Sequence, residues 1–158
     1  MNVTVIGGGS WGSALARILG DNGHDVIIYD RTLEIVNEIN TFHTNKSKLP
    51  VGVLPLNVTA TINMEEALSN SEVVVTAVPT KVIRGVLKEM NQVLTHKCLF
   101  VNASKGLEPD TFLRISEIVK QEINDNFIEG FVALTGPSHA EEVINQLLTI
   151  VCSVSENK

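Results

Sequence analysis

Gly7-Gly8-Gly9-Ser10-Trp11-Gly12 forms a GxGxxG pattern between a β-branched run and a stretch of helical periodicity, the setting in which a chain can hold a dinucleotide diphosphate. Gly7 permits the tight strand-to-helix turn, Gly9 lets the backbone approach a pyrophosphate, and Gly12 lets the helix pack closely on the strand. The helix start then presents unpaired N–H donors and a partial positive charge to the diphosphate. Asp30 follows Gly12 by eighteen residues, near the ~20-residue offset at which an acid meets the adenosine ribose hydroxyls of NAD. Arg31 stands next to it, and an arginine there suits the 2′-phosphate of NADP. An anion facing a phosphate at about 4 Å costs on the order of 4 kcal/mol at an effective dielectric of 20. Asp30 therefore favours NAD if it faces the ribose, and a solvated turn is the competing reading of the pair.

Two further stretches carry chemistry. Lys105 lies just past a β-like run, where ligands of open α/β sheets bind, and offers a charge to a phosphate or carbonyl oxygen. Gly136-Pro137-Ser138 also follows a β-like run and opens a helical pattern, so its backbone donors can receive an anion. Ser138 and Glu141 fit a capping box, with Ser138 as the cap. His139 falls in the first helical turn with no partner carboxylate in a recognisable constellation, which makes it structural rather than a general acid.

The elements that must position these residues alternate along the chain. Strands are expected at 3–6, 26–29, 58–61, 73–78, 99–102, 131–135 and 149–153, mostly as continuous apolar runs of the kind buried on both faces. Trp11, Ala14, Leu15, Ile18 and Leu19 give one apolar stripe on a helix that Gly23 stops. Val82, Ile83, Val86, Leu87, Met90, Val93 and Leu94 mark a helix after Pro79, and Asp110 can cap another whose Phe112, Ile115, Val119 and Ile123 share a face. Shorter helices are expected at 33–40 and, with Asn63 and Glu66 as a capping-type pair, at 63–69. Residues 42–57, with Pro50, Gly52 and Pro55, form an irregular connection suited to a functional loop. The fold class is α/β, a Rossmann-like, doubly wound, mostly parallel sheet with helices on both faces.

Composition narrows the partners. The 158 residues carry a net charge of −6 with 44% hydrophobic and 19% charged residues, which fits one folded domain and argues against nucleic acid or an anionic membrane as partner. No apolar run approaches the ~18 residues that span a bilayer, so membrane insertion is not expected. The start, MNVTVIGGG, lacks a signal peptide's basic region and cleavage site, and the expected location is the cytosol. Cys98 and Cys152 each sit in a β-like apolar run without CxxC spacing or a histidine cluster, so both are expected to be buried free thiols, with no metal site.

Ala77-Val78-Pro79-Thr80, Asn102-Ala103-Ser104-Lys105-Gly106-Leu107-Glu108 and the stretch GPSHAEEV from Gly136 to Val143 join GGGSWGSALA in one order and spacing. Together they resemble the N-terminal domain of the bacterial NAD(P)-dependent sn-glycerol-3-phosphate dehydrogenases, along almost the entire chain. That family interconverts dihydroxyacetone phosphate and sn-glycerol 3-phosphate by hydride transfer, supplying the backbone of glycerophospholipids. The resemblance implies NAD(P) as cofactor, with Ser10, Trp11, Arg31 and Ala140 contacting it. It implies that Lys105 meets both cofactor and substrate as the catalytic residue, and that Gly136 and Ser138 help to hold the small phosphorylated substrate. A homodimer of the full-length protein is compatible with it.

The sequence departs from the family in places. Family members commonly have a small neutral residue at the position of Asp30 and often a further cation at that of Thr32, which weakens the case for strict NADP preference. Lys48 stands where the family often has an aromatic residue near the adenosine, and its ammonium could reach a phosphate. The family's helical C-terminal domain, which supplies a proton-donating lysine and most substrate-phosphate contacts, is not found before the last residues, Ser155-Glu156-Asn157-Lys158. Residues 1–158 therefore read as the NAD(P)-binding domain of a truncated protein, expected to be inactive alone. Two alternatives are a freestanding module that senses NAD(P) without catalysis, and another hydroxyacid-type dehydrogenase sharing the fold.

Overall fold

The computed structural model describes residues 1–155; residues 156–158, which include the end of the sequence noted above, lie outside the described residues. Strands β1 (Asn2–Ile6), β2 (Asp25–Tyr29), β3 (Val58–Thr61), β4 (Val73–Thr76), β5 (Cys98–Asn102), β6 (Ile128–Thr135) and β7 (Cys152–Ser155) form one sheet in the order β3-β2-β1-β4-β5-β6-β7. Every pairing is parallel except that of β7, which runs antiparallel to β6 with Ala133 opposite Val154. The strand order reverses direction between β1 and β4, which places their carboxyl ends at the switch point where open α/β sheets bind ligands.

Alternation along the strands divides the core. Val3, Val5, Val26, Ile28 and Val75 face α1 (Ser10–Asp21) and α2 (Leu33–Phe42). Ile6, Val74, Cys98 and Phe100 face α3 (Met64–Leu68), α4 (Thr80–Val93) and α5 (Ile115–Glu122). The central strands β1 and β4 thus bury both sets of side chains, as their apolar runs require. A third cluster joins Ala14 of α1 to Leu49 and to Ala140, Val143 and Ile144 of α6 (Ala140–Ile144), and Arg17 Nη1 donates to the Ile144 carbonyl at 2.9 Å.

Several sequence expectations are corrected. Helix α1 packs through its small residues: Gly12, Ala16 and Gly20 are buried, whereas Trp11, Leu15 and Leu19 are only partly so and Ile18 is exposed. A β-carbon on Gly20 would stand 2.7 Å from Val58 Cγ2, so the helix lies too near the sheet for a bulky stripe. Asp110 does not cap α5, which begins at Ile115 after Arg114. Asp110 and Phe112 have positive φ, and Phe112 is exposed, because residues 108–113 turn back on themselves through Phe112 N–H donating to the Glu108 carbonyl. Ser138 does not cap α6 either. The cap position is His139, and the Ser138 hydroxyl donates instead to the Gly136 carbonyl at 3.5 Å. Cys98 is buried as expected, with its thiol pushed up to about 11 by burial and by the nearby Glu129 charge. Cys152 is exposed because β7 lies at the sheet edge. The Asn63 carboxamide does cap α3, accepting from the Glu65 and Glu66 N–H groups, but the Glu66 carboxylate takes the Thr61 hydroxyl.

Candidate functional site

The glycine turn joins β1 to α1 with the three glycines in three distinct environments. Gly7 has φ +114, and its N–H donates to the Tyr29 carbonyl at 2.9 Å. At Gly12 a β-carbon would fall 1.9 Å from the Gly7 carbonyl oxygen. At Gly9, the residue preceding α1, a β-carbon would meet nothing within 4 Å. Close packing inside the protein therefore accounts for Gly7 and Gly12 but leaves the bare Gly9 backbone facing open space at the helix start, as an approaching pyrophosphate would need.

Asp30, just past β2, points back at this turn. Its Oδ2 accepts the Gly8 N–H at 2.8 Å and its Oδ1 accepts the Thr32 N–H at 2.9 Å. These two backbone donors fix the carboxylate against the glycine turn, so Asp30 is not merely a solvated side chain. Arg31 is exposed and pairs with Glu89 of α4 at 2.8 Å. The Tyr29 hydroxyl donates to the other Glu89 oxygen at 3.0 Å.

The loop at 42–57 is tied to the glycine turn. Ser10, the first residue of α1, donates its hydroxyl to the Lys48 carbonyl at 2.6 Å. The Lys48 side chain is exposed, so what the fold uses of this residue is its backbone. Asn45, unremarked in the sequence, is 3% exposed and donates from Nδ2 to the Gly8 carbonyl at 2.8 Å and the Ser13 hydroxyl at 2.9 Å. It braces the turn from behind. No periodicity marks an asparagine in a polar loop, so sequence alone offered no signal for it.

Lys105 is brought to the same end of the sheet. Its Nζ donates to the Ser138 carbonyl at 2.5 Å and lies 5.2 Å from the centre of the Trp11 ring. Trp11, whose Nε1 is buried without a hydrogen-bond partner among the described residues, thus links the glycine turn to the lysine and to the Gly136-Pro137-Ser138 turn. Ser138 is 3% exposed, Ala140 is 7% exposed at the start of α6, and Gly136 has φ +133. The loop carrying Lys105 leaves β5 through Asn102, whose Oδ1 accepts both the Thr76 hydroxyl and the Ser104 N–H. A cleft of about 690 Å³ opens beside it, lined in part by Asn102, Lys105, Phe131, Leu134 and Gly136.

A second brace holds the far side of that loop. Arg84 of α4 grips Glu108 through two parallel bonds, Nε to Oε1 and Nη2 to Oε2, each 2.7 Å, and also pairs with Glu122 of α5. The guanidinium, followed by the Thr111 hydroxyl, holds the Glu108 carboxyl down at about 2. A carboxyl lowered by folding contributes stability above its unfolded value of ~4.3 and loses it as the pH falls through its folded value. Wild-type chain should therefore lose stability between about pH 4 and pH 2, and Arg84→Ala should lower the urea midpoint at pH 7 and flatten this acid-dependent loss. Urea midpoints measured from pH 2 to 7 on both proteins check it.

Comparison with known proteins finds related sequences and the same fold. The family described as NAD-dependent glycerol-3-phosphate dehydrogenase N-terminus matches residues 2–158. The chain is 48% identical over 155 residues to the glycerol-3-phosphate dehydrogenase (NAD(P)+) of Bacillus pumilus (strain SAFR-032), covering 98% of this chain and 45% of that protein. It is 44% identical over 158 residues to the protein of the same name from Macrococcus caseolyticus (strain JCSC5402), covering 100% and 48%. Its fold matches the crystal structure of glycerol-3-phosphate dehydrogenase from Coxiella burnetii with a TM-score of 0.90 at 27% identity, over 99% of this chain and 47% of that one. The chain spans about half the length of the curated relatives it matches. Among the described residues no helix is long and apolar enough to cross a membrane.

Proposed function

The chain belongs to the family of NAD-dependent glycerol-3-phosphate dehydrogenase N-terminal domains, and from that premise we propose that it is the NAD(P)-binding part of an enzyme interconverting dihydroxyacetone phosphate and sn-glycerol 3-phosphate. The observation that carries this reading is the open space over Gly9 at the start of α1, beside two glycines that the protein itself packs against. Gly7 to Gly12 hold the pyrophosphate through helix-start donors, and Ser10 fixes the neighbouring loop. Asp30 accepts a ribose hydroxyl while keeping its two backbone donors. Arg31 lies at the adenosine end with Lys48, and Trp11 and Ala140 border the other. When bound, the nicotinamide gives or takes the hydride.

Lys105 supplies the positive charge at the reacting carbonyl. Its ammonium already stands between the Trp11 ring and the Ser138 carbonyl, so a substrate oxygen approaching beside Gly136 and Ser138 meets a donor held in place. The Asn102 carboxamide and the Arg84 grip on Glu108 keep that loop from wandering. The rest of the substrate site, including a proton donor, is assigned to a helical domain following residues 1–158 in the complete enzyme. The proposed compartment is the cytosol, where the free Cys98 and Cys152 stay reduced.

Trp11 is the one tryptophan of the sequence and sits in the proposed site, which gives a direct test. Titrating the 158-residue chain with NADH should produce saturable quenching of Trp11 fluorescence, matched by calorimetry. A chain that binds neither NADH nor NADPH at millimolar concentration overturns the reading. Asp30→Ala should shift the ratio of dissociation constants toward NADP by about tenfold, since it removes a ribose acceptor and a repulsion together. An unchanged ratio by calorimetry would remove Asp30 from the ribose site.

A further inference from the structure

The end of β2 holds a cation that the fold has already committed. Arg31 follows Asp30, where a guanidinium can receive the 2′-phosphate that distinguishes NADP from NAD. Yet its Nη2 lies 2.8 Å from Glu89 Oε2, although both side chains are substantially exposed, at 63% and 38%. The contact is not left to chance, because Glu89 is itself held from the other side. Tyr29, 5% exposed in β2, donates its hydroxyl to Glu89 Oε1 at 3.0 Å. Interaction with Tyr29 and Glu89 raises Arg31 above its ordinary range, and the bond it donates to Glu89 draws the guanidinium toward α4.

Asp30 completes the pattern. Its two oxygens accept the Gly8 and Thr32 N–H groups, which hold the carboxylate toward the glycine turn. The β2 end thus presents two carboxylates around one guanidinium, a local charge of −1. A ribose 2′-hydroxyl can donate to Asp30 without disturbing the Arg31 pair. A 2′-phosphate must instead draw Arg31 from Glu89 and then lie near two carboxylates.

We propose that Glu89 sets cofactor specificity, holding Arg31 in an ion pair over α4 and thereby disfavouring NADP against NAD. This rests on the dinucleotide-binding reading above. Glu89 touches no cofactor in this role; it acts through Arg31 and is a positioning residue. Its place, three turns along a helix and 58 residues from Arg31 in the chain, leaves it outside any glycine-turn pattern. A carboxylate that only stabilised the fold would lower or spare both affinities alike, whereas one that competes for Arg31 must move them apart.

The test is calorimetric titration of the 158-residue chain with NAD and NADP. Glu89→Gln keeps an oxygen for the Tyr29 hydroxyl and removes the charge. It should shift the ratio of dissociation constants toward NADP by about two- to fivefold, the scale of a partly exposed ion pair. Glu89→Ala should move the ratio in the same direction, and in an Arg31→Ala background the Glu89→Gln shift should shrink below twofold. A wild-type chain that binds both dinucleotides, with a ratio unmoved by Glu89→Gln, overturns this inference alone. A shift of equal size in the Arg31→Ala background also overturns it, since Glu89 would then act without Arg31. A wild-type chain that binds neither dinucleotide overturns the dinucleotide reading and this inference with it.

Discussion

Gly9→Val is expected to abolish dinucleotide binding in a chain that still folds, while Gly12→Ala is expected to lose the fold itself. The contrast follows from where each new side chain would go. Gly9 has φ −74 and ψ −177, an extended conformation open to any residue, and its β-carbon would meet nothing within 4 Å. Valine there sacrifices only a modest helix-capping preference, about 1 kcal/mol. Its methyl groups, however, occupy the space into which a pyrophosphate must come to meet the helix-start donors. Affinity should fall by about 10²-fold or more, equivalent to ~3 kcal/mol. A β-carbon on Gly12 would lie 1.9 Å from the Gly7 carbonyl oxygen and 3.3 Å from Val5 Cγ1. Neither the strand nor the turn can move away without breaking the β1–α1 junction, so the cost should exceed the ~1–3 kcal/mol of ordinary overpacking. Calorimetry with NADH and urea unfolding on both variants separate the two. Wild-type affinity in a folded Gly9→Val chain would refute the pyrophosphate assignment.

Lys105→Ala should cut turnover by about 10²-fold or more in an enzyme of the relatives' full length carrying this domain, with little loss of stability. The ammonium sits beside the Trp11 ring and under the Ser138 carbonyl. That places one positive charge where the glycine turn and the Gly136-Pro137-Ser138 turn converge. Removing it forfeits a cation–π contact of about 0.5–1 kcal/mol at an exposed site and a hydrogen bond whose acceptor water can take over. The fold survives this easily. A developing negative charge on a substrate oxygen has no such replacement, because water reorients during the reaction and a positioned ammonium does not. Steady-state kinetics with dihydroxyacetone phosphate and NADH should show the loss mainly in kcat, with an unchanged urea midpoint. Turnover within a fewfold of wild type would take Lys105 out of the reaction centre. The 158-residue chain by itself is expected to show no dihydroxyacetone phosphate-dependent oxidation of NADH, since the proposed proton donor lies in a following domain. Activity in the purified chain would contradict that division.

Features that depend on near neighbours were legible in the order of residues. The β-branched runs became strands because alternating residues of one extended segment reach opposite faces of the sheet, and the glycine turn is a requirement of six consecutive residues on one backbone. Asp30 was legible too, because in a βαβ unit the length of α1 fixes where β2 must end. What the tertiary structure alone decided are partnerships across long stretches of chain. Asn45 braces Gly8 across 37 residues, Arg84 reaches Glu108 across 24, and Glu89 reaches Arg31 across 58. A polar side chain leaves no periodic trace of the group it meets, because that meeting is set by strand order and helix placement. The same reason explains the failed assignments. Asp110 and Ser138 each have the chemistry of a helix cap, yet the loop around Glu108 folds back before α5 can begin, and the Ser138 hydroxyl turns to the Gly136 carbonyl. Cys152 lies in a run that resembles a buried strand, but burial depends on what covers a strand, and β7 stands antiparallel at the sheet edge. Local pattern specifies which segments can be strands and helices; only their assembly specifies which side chains then share a space.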